Sequence, residues 1–224
     1  SVFGVGLLLF GTPIFLFIGY DFESTLILLL PISISISFLQ IIYQKSSIKS
    51  LVSEYNLFCL PFLVLFLVVA INLGSIVDIR IYVSIFLIIS SIVILNKNRI
   101  VRMNKYLLKY RKFYLVLIGS IHGFTNMGGG FLSLFSTLVN GEDRVSTRDY
   151  ISYGYFVMGC IQYITISFIG LNNIDYTKLY YVCLPLVLFF PSQKIFKKIN
   201  NQLFTKIINF VALIFGIVAL IICL

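Results

Sequence analysis

Long apolar runs separated by short polar, basic stretches make up the whole chain. The runs fall at about 2–18, 26–43, 57–77, 79–95, 113–139, 150–170, 176–190 and 207–224. Several are close to the ~20 residues a helix needs to cross a bilayer. Ile32-Ser33-Ile34-Ser35-Ile36-Ser37 alternates like a strand. A lone strand in hydrocarbon would leave its backbone unpaired, so the pattern predicts helix there. Two runs carry glycine interruptions: the first at Gly4, Gly6 and Gly11-Thr12-Pro13, the fifth at Met127-Gly128-Gly129-Gly130. Successive glycines cost a helix roughly 1 kcal/mol each relative to alanine, so a break is expected at both.

The pattern also repeats. Phe58-Cys59-Leu60-Pro61 recurs as Val182-Cys183-Leu184-Pro185, and the same offset of 124 lays Gly6 on Gly130. Gln40 matches Gln162 with a shift of two. Duplication in an apolar chain is typical of transporters that hold substrate between their halves. By this offset, the arm beginning at Phe113 has its counterpart about a dozen residues before Ser1, so the first half is expected to be truncated.

Composition agrees with a membrane protein. Of 224 residues, 59% are hydrophobic and 11% charged, with mean hydropathy +1.03. A soluble domain carries roughly 25% charged residues. The net charge of +9 sits in short loops, which signals topology and not nucleic-acid binding. Cys59, Cys160, Cys183 and Cys223 lie in apolar runs without zinc spacing, and read as small apolar residues. No cofactor is implied.

Basic residues discriminate between two topologies. If all eight runs cross, ten of the 17 fall inside and seven outside. If the first and fifth runs are re-entrant hairpins, fifteen fall inside, leaving only Arg80 and Lys178 outside. The second arrangement obeys the positive-inside rule far better. It predicts an all-α polytopic protein of two inverted repeats, each a glycine-broken hairpin plus three crossings. The first repeat is 1–95, a basic cytoplasmic linker 96–112, and the second repeat 113–224. The hairpin tips then meet near the midplane.

Gly119-Ser-Ile-His-Gly-Phe-Thr-Asn-Met-Gly-Gly-Gly130-Phe-Leu-Ser resembles the glycine signature of the sulfite exporter TauE/SafE family, whose pattern is G-x-G-G-G, an apolar run and a proline, once per repeat. Asn126 replaces the first glycine here, and no proline follows Gly130. The first repeat keeps Gly4-x-Gly6, with Pro13 two positions late. The resemblance implies a permease moving small sulfur-containing or organic anions across a cell membrane, in this case expected to be a bacterial inner membrane.

Backbone N–H groups at Gly128, Gly129 and Gly130, and at Gly11 and Thr12, are candidates to hold an anion at helix ends; close helix packing is the alternative. Asn126, Ser133, Gln40 and Gln162 are polar groups within apolar runs and candidate substrate contacts, as are Ser33 and Ser37 on one helical face. His122 is the sole histidine, and no carboxylate lies within a predicted span. It is the candidate for proton coupling or a substrate hydrogen bond, against a structural role bonded to a carbonyl. Cys59 and Cys183 are either substrate contacts or filler beside Pro61 and Pro185. An enzyme is not expected, since one histidine and no buried carboxylate make a poor catalytic set. A secondary transporter leads; an intramembrane enzyme or a non-transporting assembly or sensor subunit stays open.

Overall fold

The structure is a computed structural model. It describes residues 6–44, 52–74, 76–97, 100, 108–141, 143–169, 181, 183–198 and 201–223. Gly4, Lys178, most of the basic linker and the Cys183 side chain lie outside the described residues. The helices in chain order are α1 (Gly6–Ile18), α2 (Phe22–Gln44), α3 (Val52–Phe58), α4 (Leu60–Leu73), α5 (Ile79–Leu95), α6 (Arg111–Thr125), α7 (Gly129–Asn140), α8 (Arg144–Ile169), α9 (Cys183–Lys198) and α10 (Asn201–Cys223). Four stretches are long and apolar enough to cross a membrane: Phe22–Tyr43, Val52–Leu73, Val145–Ile169 and Lys206–Cys223. The Ile-Ser alternation at 32–37 is helical, within α2.

One expected break is present and the other is not. Helix runs out at Asn126–Gly128, between α6 and α7. In the first half, α1 continues through Gly11, Thr12 and Pro13. Pro13 removes one backbone donor, a loss that neighbouring helices compensate in a packed membrane bundle. Gly11 is used for packing instead: a Cβ there would sit 3.0 Å from the Leu29 methyls of α2. The α6 helix starts at Arg111, two residues before the apolar run begins at Phe113.

The segment after the break folds back. Phe135 of α7 stacks on Tyr114 of α6 at 5.7 Å between ring centroids. Yet Tyr114 lies roughly 17 Å of helix before Thr125. A straight continuation would carry Phe135 away, so α6 and α7 run antiparallel with the break at their tip. α2 and α8 are also antiparallel: Ile34 meets Gly159, Phe38 stacks on Phe156, and Gln40 bonds Ser152. α3–α4 and α6 run parallel and very close. A Cβ at Gly119 would fall on the Cys59 carbonyl, and one at Gly123 on the Leu63 carbonyl. Small residues let these backbones approach. Between α3 and α4 the helix is interrupted at Cys59, just before Pro61, which cannot supply a helical N–H.

Helix ends sort to two faces. Arg111 with Glu54, Tyr55 with Tyr150, the Ser136 hydroxyl on the Thr147 carbonyl, and Arg148 with Gln193 gather one end of the bundle. At the other end, Cys223 comes beside the paired Asp78 and Arg80. Asp78 caps α5, accepting from the Arg80 N–H at 2.9 Å, and the Arg80 side chain holds its carboxyl below the usual range. Outward residues on α10, such as Phe210, Ile214 and Ile221, are apolar and exposed, suited to lipid.

Cysteines placed at Lys109, Asp143 and Lys194 are expected to react with a membrane-impermeant reagent from one side only, and one at Ile76 only from the other. Gly123→Ala should lower stability by about 1–3 kcal/mol, measured as a lower unfolding midpoint in detergent.

Candidate functional site

At the α6–α7 tip some of the polar groups freed by the break are bonded and others are not. α6 ends at Asn126, which adopts a left-handed backbone (φ 61°) and bonds its N–H to the His122 carbonyl at 2.8 Å. Asparagine tolerates this conformation better than most residues, because its short amide can bond locally. Here the amide reaches across the protein: Asn126 Nδ2 donates to Thr12 Oγ1 of α1 at 2.9 Å. Thr125 Oγ1 donates back to the Ile121 carbonyl and accepts from the Met127 N–H. Thr12, His122, Thr125 and Asn126 are all at most 1% exposed.

After the break, α7 begins at Gly128-Gly129-Gly130. Its first intrahelical bond runs from the Leu132 N–H to the Gly128 carbonyl. The N–H groups of Gly128 to Phe131 therefore have no acceptor further back in their own helix. They form the positive end of α7 inside the bundle. The glycines are also sterically required. A Cβ at Gly128 would meet His122 Cβ at 2.6 Å, and one at Gly130 would meet Ser90 Cβ at 2.9 Å.

His122 stands one turn before the break, fully buried, its ring 5.9 Å from that of Tyr155 on α8. Gln162 of α8 donates weakly to the His122 carbonyl at 3.5 Å. Its amide also lies beside the imidazole. By bonding geometry, Nδ1 and Nε2 of His122, Oε1 of Gln162 and Oδ1 of Asn126 are buried without a hydrogen-bond partner. Such groups cost about 1–3 kcal/mol each, so their concentration at one break is the strongest sign of a site. Together they can present both donors and acceptors to a small polar solute.

The structure thus brings Thr12, Asn126, Gly128, Gly129, Gly130, His122 and Gln162 together. It does not bring in the others. Gly11 and the Thr12 N–H lie inside α1, so they cannot supply free amides as expected; the first half contributes the Thr12 hydroxyl instead. Ser133 is half-buried about a turn further along α7, its carbonyl accepting from Thr137. Gln40 lies near the far end of α2, accepting from Ser152 Oγ at 2.8 Å. Cys59 is buried in the core against Gly119 and Tyr55, a packing position. Ser33 and Ser37 are buried on α2.

Several participants were not foreseen. Ser90 and Ser91 of α5 are fully buried, and Ser91 Oγ is unpartnered. Arg148 and Gln193 are buried as well, away from the tip. Arg148 had the bearing of a loop charge, but α8 begins four residues earlier. Asp143 accepts from the Val145 N–H and the Ser146 hydroxyl, the helix-start signal that would have placed Arg148 on the helix.

Comparison with protein-family models, with curated proteins and with solved structures finds no match.

A Thr12→Val, Asn126→Ala double-mutant cycle is expected to return a coupling energy of about 1 kcal/mol, read from unfolding in detergent. Additive single effects would mean that the bond across the break contributes nothing.

Proposed function

We propose that this chain is a secondary transporter, a permease that moves a small sulfur-containing or organic anion by alternating access between two inverted repeats. The observation that carries the proposal is the broken-helix tip. Free amides of α7, the Asn126–Thr12 bond and the unpartnered His122 and Gln162 groups converge there inside an apolar bundle.

Helix bounds support the repeat. Moved by 124, Phe22–Gln44 falls on 146–168, within Arg144–Ile169, and Ile79–Leu95 falls on 203–219, within Asn201–Cys223. Packing supports a two-fold relation. α4 lies on α8 as α9 lies on α2; α7 lies on α8 as α1 lies on α2; α5 lies on α7 as α10 lies on α1. The equivalent helices α2 and α8 pack together and run antiparallel, as an axis in the membrane plane requires. The first and fifth apolar runs then serve as re-entrant arms. The end that carries Lys109, Arg111, Lys112, Arg148 and Lys194 is then the cytoplasmic one, since fifteen of the 17 Lys and Arg residues fall in the inside loops of this arrangement.

An anion in this setting needs compensation, and the α7 amides supply it, helped by Asn126 and Thr12. The set is buried from the bundle surface, so the solute reaches it only when the surrounding helices part. His122 is the titratable group beside the tip and the candidate for proton coupling. The glycine signature shared with the sulfite exporter pattern favours a sulfur oxyanion.

The test is uptake and efflux of sulfite, thiosulfate and sulfoacetate by purified protein in proteoliposomes. Flux of at least one is expected, and none across the panel would overturn the proposal in favour of an enzyme or an assembly subunit. Gly129→Leu should lower flux at least a hundredfold while the protein still inserts, because its side chain covers the amides. His122→Gln keeps hydrogen bonding without titration. It should retain flux and lose any pH dependence that His122 confers; an unchanged pH profile would make His122 structural.

A further inference from the structure

A second buried polar cluster lies apart from the α6–α7 tip, towards the basic end of the bundle. Arg148 of α8 is 8% exposed, although it is a cation on a stretch apolar enough to span a membrane. Its Nη2 donates to Gln193 Oε1 of α9 at 2.9 Å, and Gln193 is itself buried. One turn along α8, Ser152 Oγ donates to Gln40 Oε1 of α2, leaving Gln40 Nε2 buried and unpartnered. Tyr43, nearly one turn from Gln40 on α2, is close enough to Arg148 to act on it electrostatically and packs its ring on Phe189 of α9. Thus α2, α8 and α9 converge on a cation and an idle amide donor. Asp149, next in the chain and also 8% exposed, offsets part of the charge.

A buried ionisable residue in a membrane bundle is costly and marks a solute path more often than a packing need. Guanidinium and carboxamide together form a donor set that matches a planar or tetrahedral oxyanion. The tip, by contrast, offers backbone amides and no cation. The cluster also joins helices from both halves of the chain, so its geometry changes when the halves move relative to each other.

We propose that Arg148, Gln193 and the Gln40 amide form a second anion subsite, the one that receives a small oxyanion at the basic end before it passes to the α6–α7 tip. This rests on the transport proposal for its role in a cycle, but binding at the subsite can be judged without flux. The probe is thiosulfate, added to purified protein in detergent at ionic strength fixed with sodium gluconate, and the readout is the thermal unfolding midpoint.

A saturable upward shift is expected in wild type. Arg148→Gln should raise the half-saturating thiosulfate concentration at least tenfold, and Arg148→Lys should recover most of that loss. Arg80→Gln, at the opposite end beside Asp78, should leave it unchanged. Should Arg148→Gln not fold, Gln40→Met is read instead; it keeps the side-chain volume, removes the donor and should raise half-saturation at least threefold. Wild-type half-saturation in Arg148→Gln, or in Gln40→Met where that variant is the one read, would overturn the subsite, as would the absence of any saturable shift in wild type. A shift in a protein that carries no flux of any anion would remove the transport proposal and leave the subsite standing. Flux without a shift would do the reverse.

Discussion

Hydrocarbon cannot hydrogen-bond a peptide group, and this constraint governs everything distinctive in the bundle. A helix may end in the middle of such a protein only where other parts of the chain answer its freed groups. The break at Asn126–Gly128 meets this condition by concentrating small and polar residues around it. Thr125 bonds forwards and backwards, Asn126 turns left-handed and reaches Thr12, and Gly128 leaves room for His122. Close approach of α6 to α4 through Gly119 and Gly123 surrounds the break with protein and keeps lipid away. What the surroundings do not answer is equally defined: the first-turn amides of α7 and the His122 ring.

The two glycine-marked runs show how far such features can be read from residues alone. Three successive glycines leave the helix little to gain, so a break near 128–130 was legible; it falls at Asn126–Gly128, and Gly129 and Gly130 open α7. The Gly11-Thr12-Pro13 motif looked comparable, but its glycine seats Leu29, and one proline costs one bond in a helix supported on several sides. Local propensity is outweighed there by packing, which the sequence does not display. The all-helical architecture was more legible than the chemistry, because long apolar runs leave the backbone no partner but itself. Contacts among described residues add what the runs do not show, the grouping of helix ends at two faces of the bundle.

Site membership was only partly legible. Asn126 and Thr12 were singled out separately as polar residues in apolar runs, and their mutual bond depends on a fold-back that no periodicity reports. Gln40 and Gln162 looked equivalent by repeat position, yet they end on different clusters. In an antiparallel α2–α8 pair, residues equally placed along the two helices lie towards opposite ends. Arg148 was hidden by the assumption that a helix begins where its apolar run does. Asp143 and Ser146, capping residues just ahead, place the start earlier.

The parallel seating of α6 on α4 bears on biogenesis. α6 opens with Arg111 and Lys112 and has no run of the length and apolarity of the four membrane-capable stretches. Its backbone fits within contact distance of the carbonyls of Cys59, just before α4, and Leu63 within it. The α3–α4 stretch is made before α6, and the surface on which the α6 glycines seat is therefore present before the segment that needs it. The order of synthesis and the order of packing run the same way along this chain.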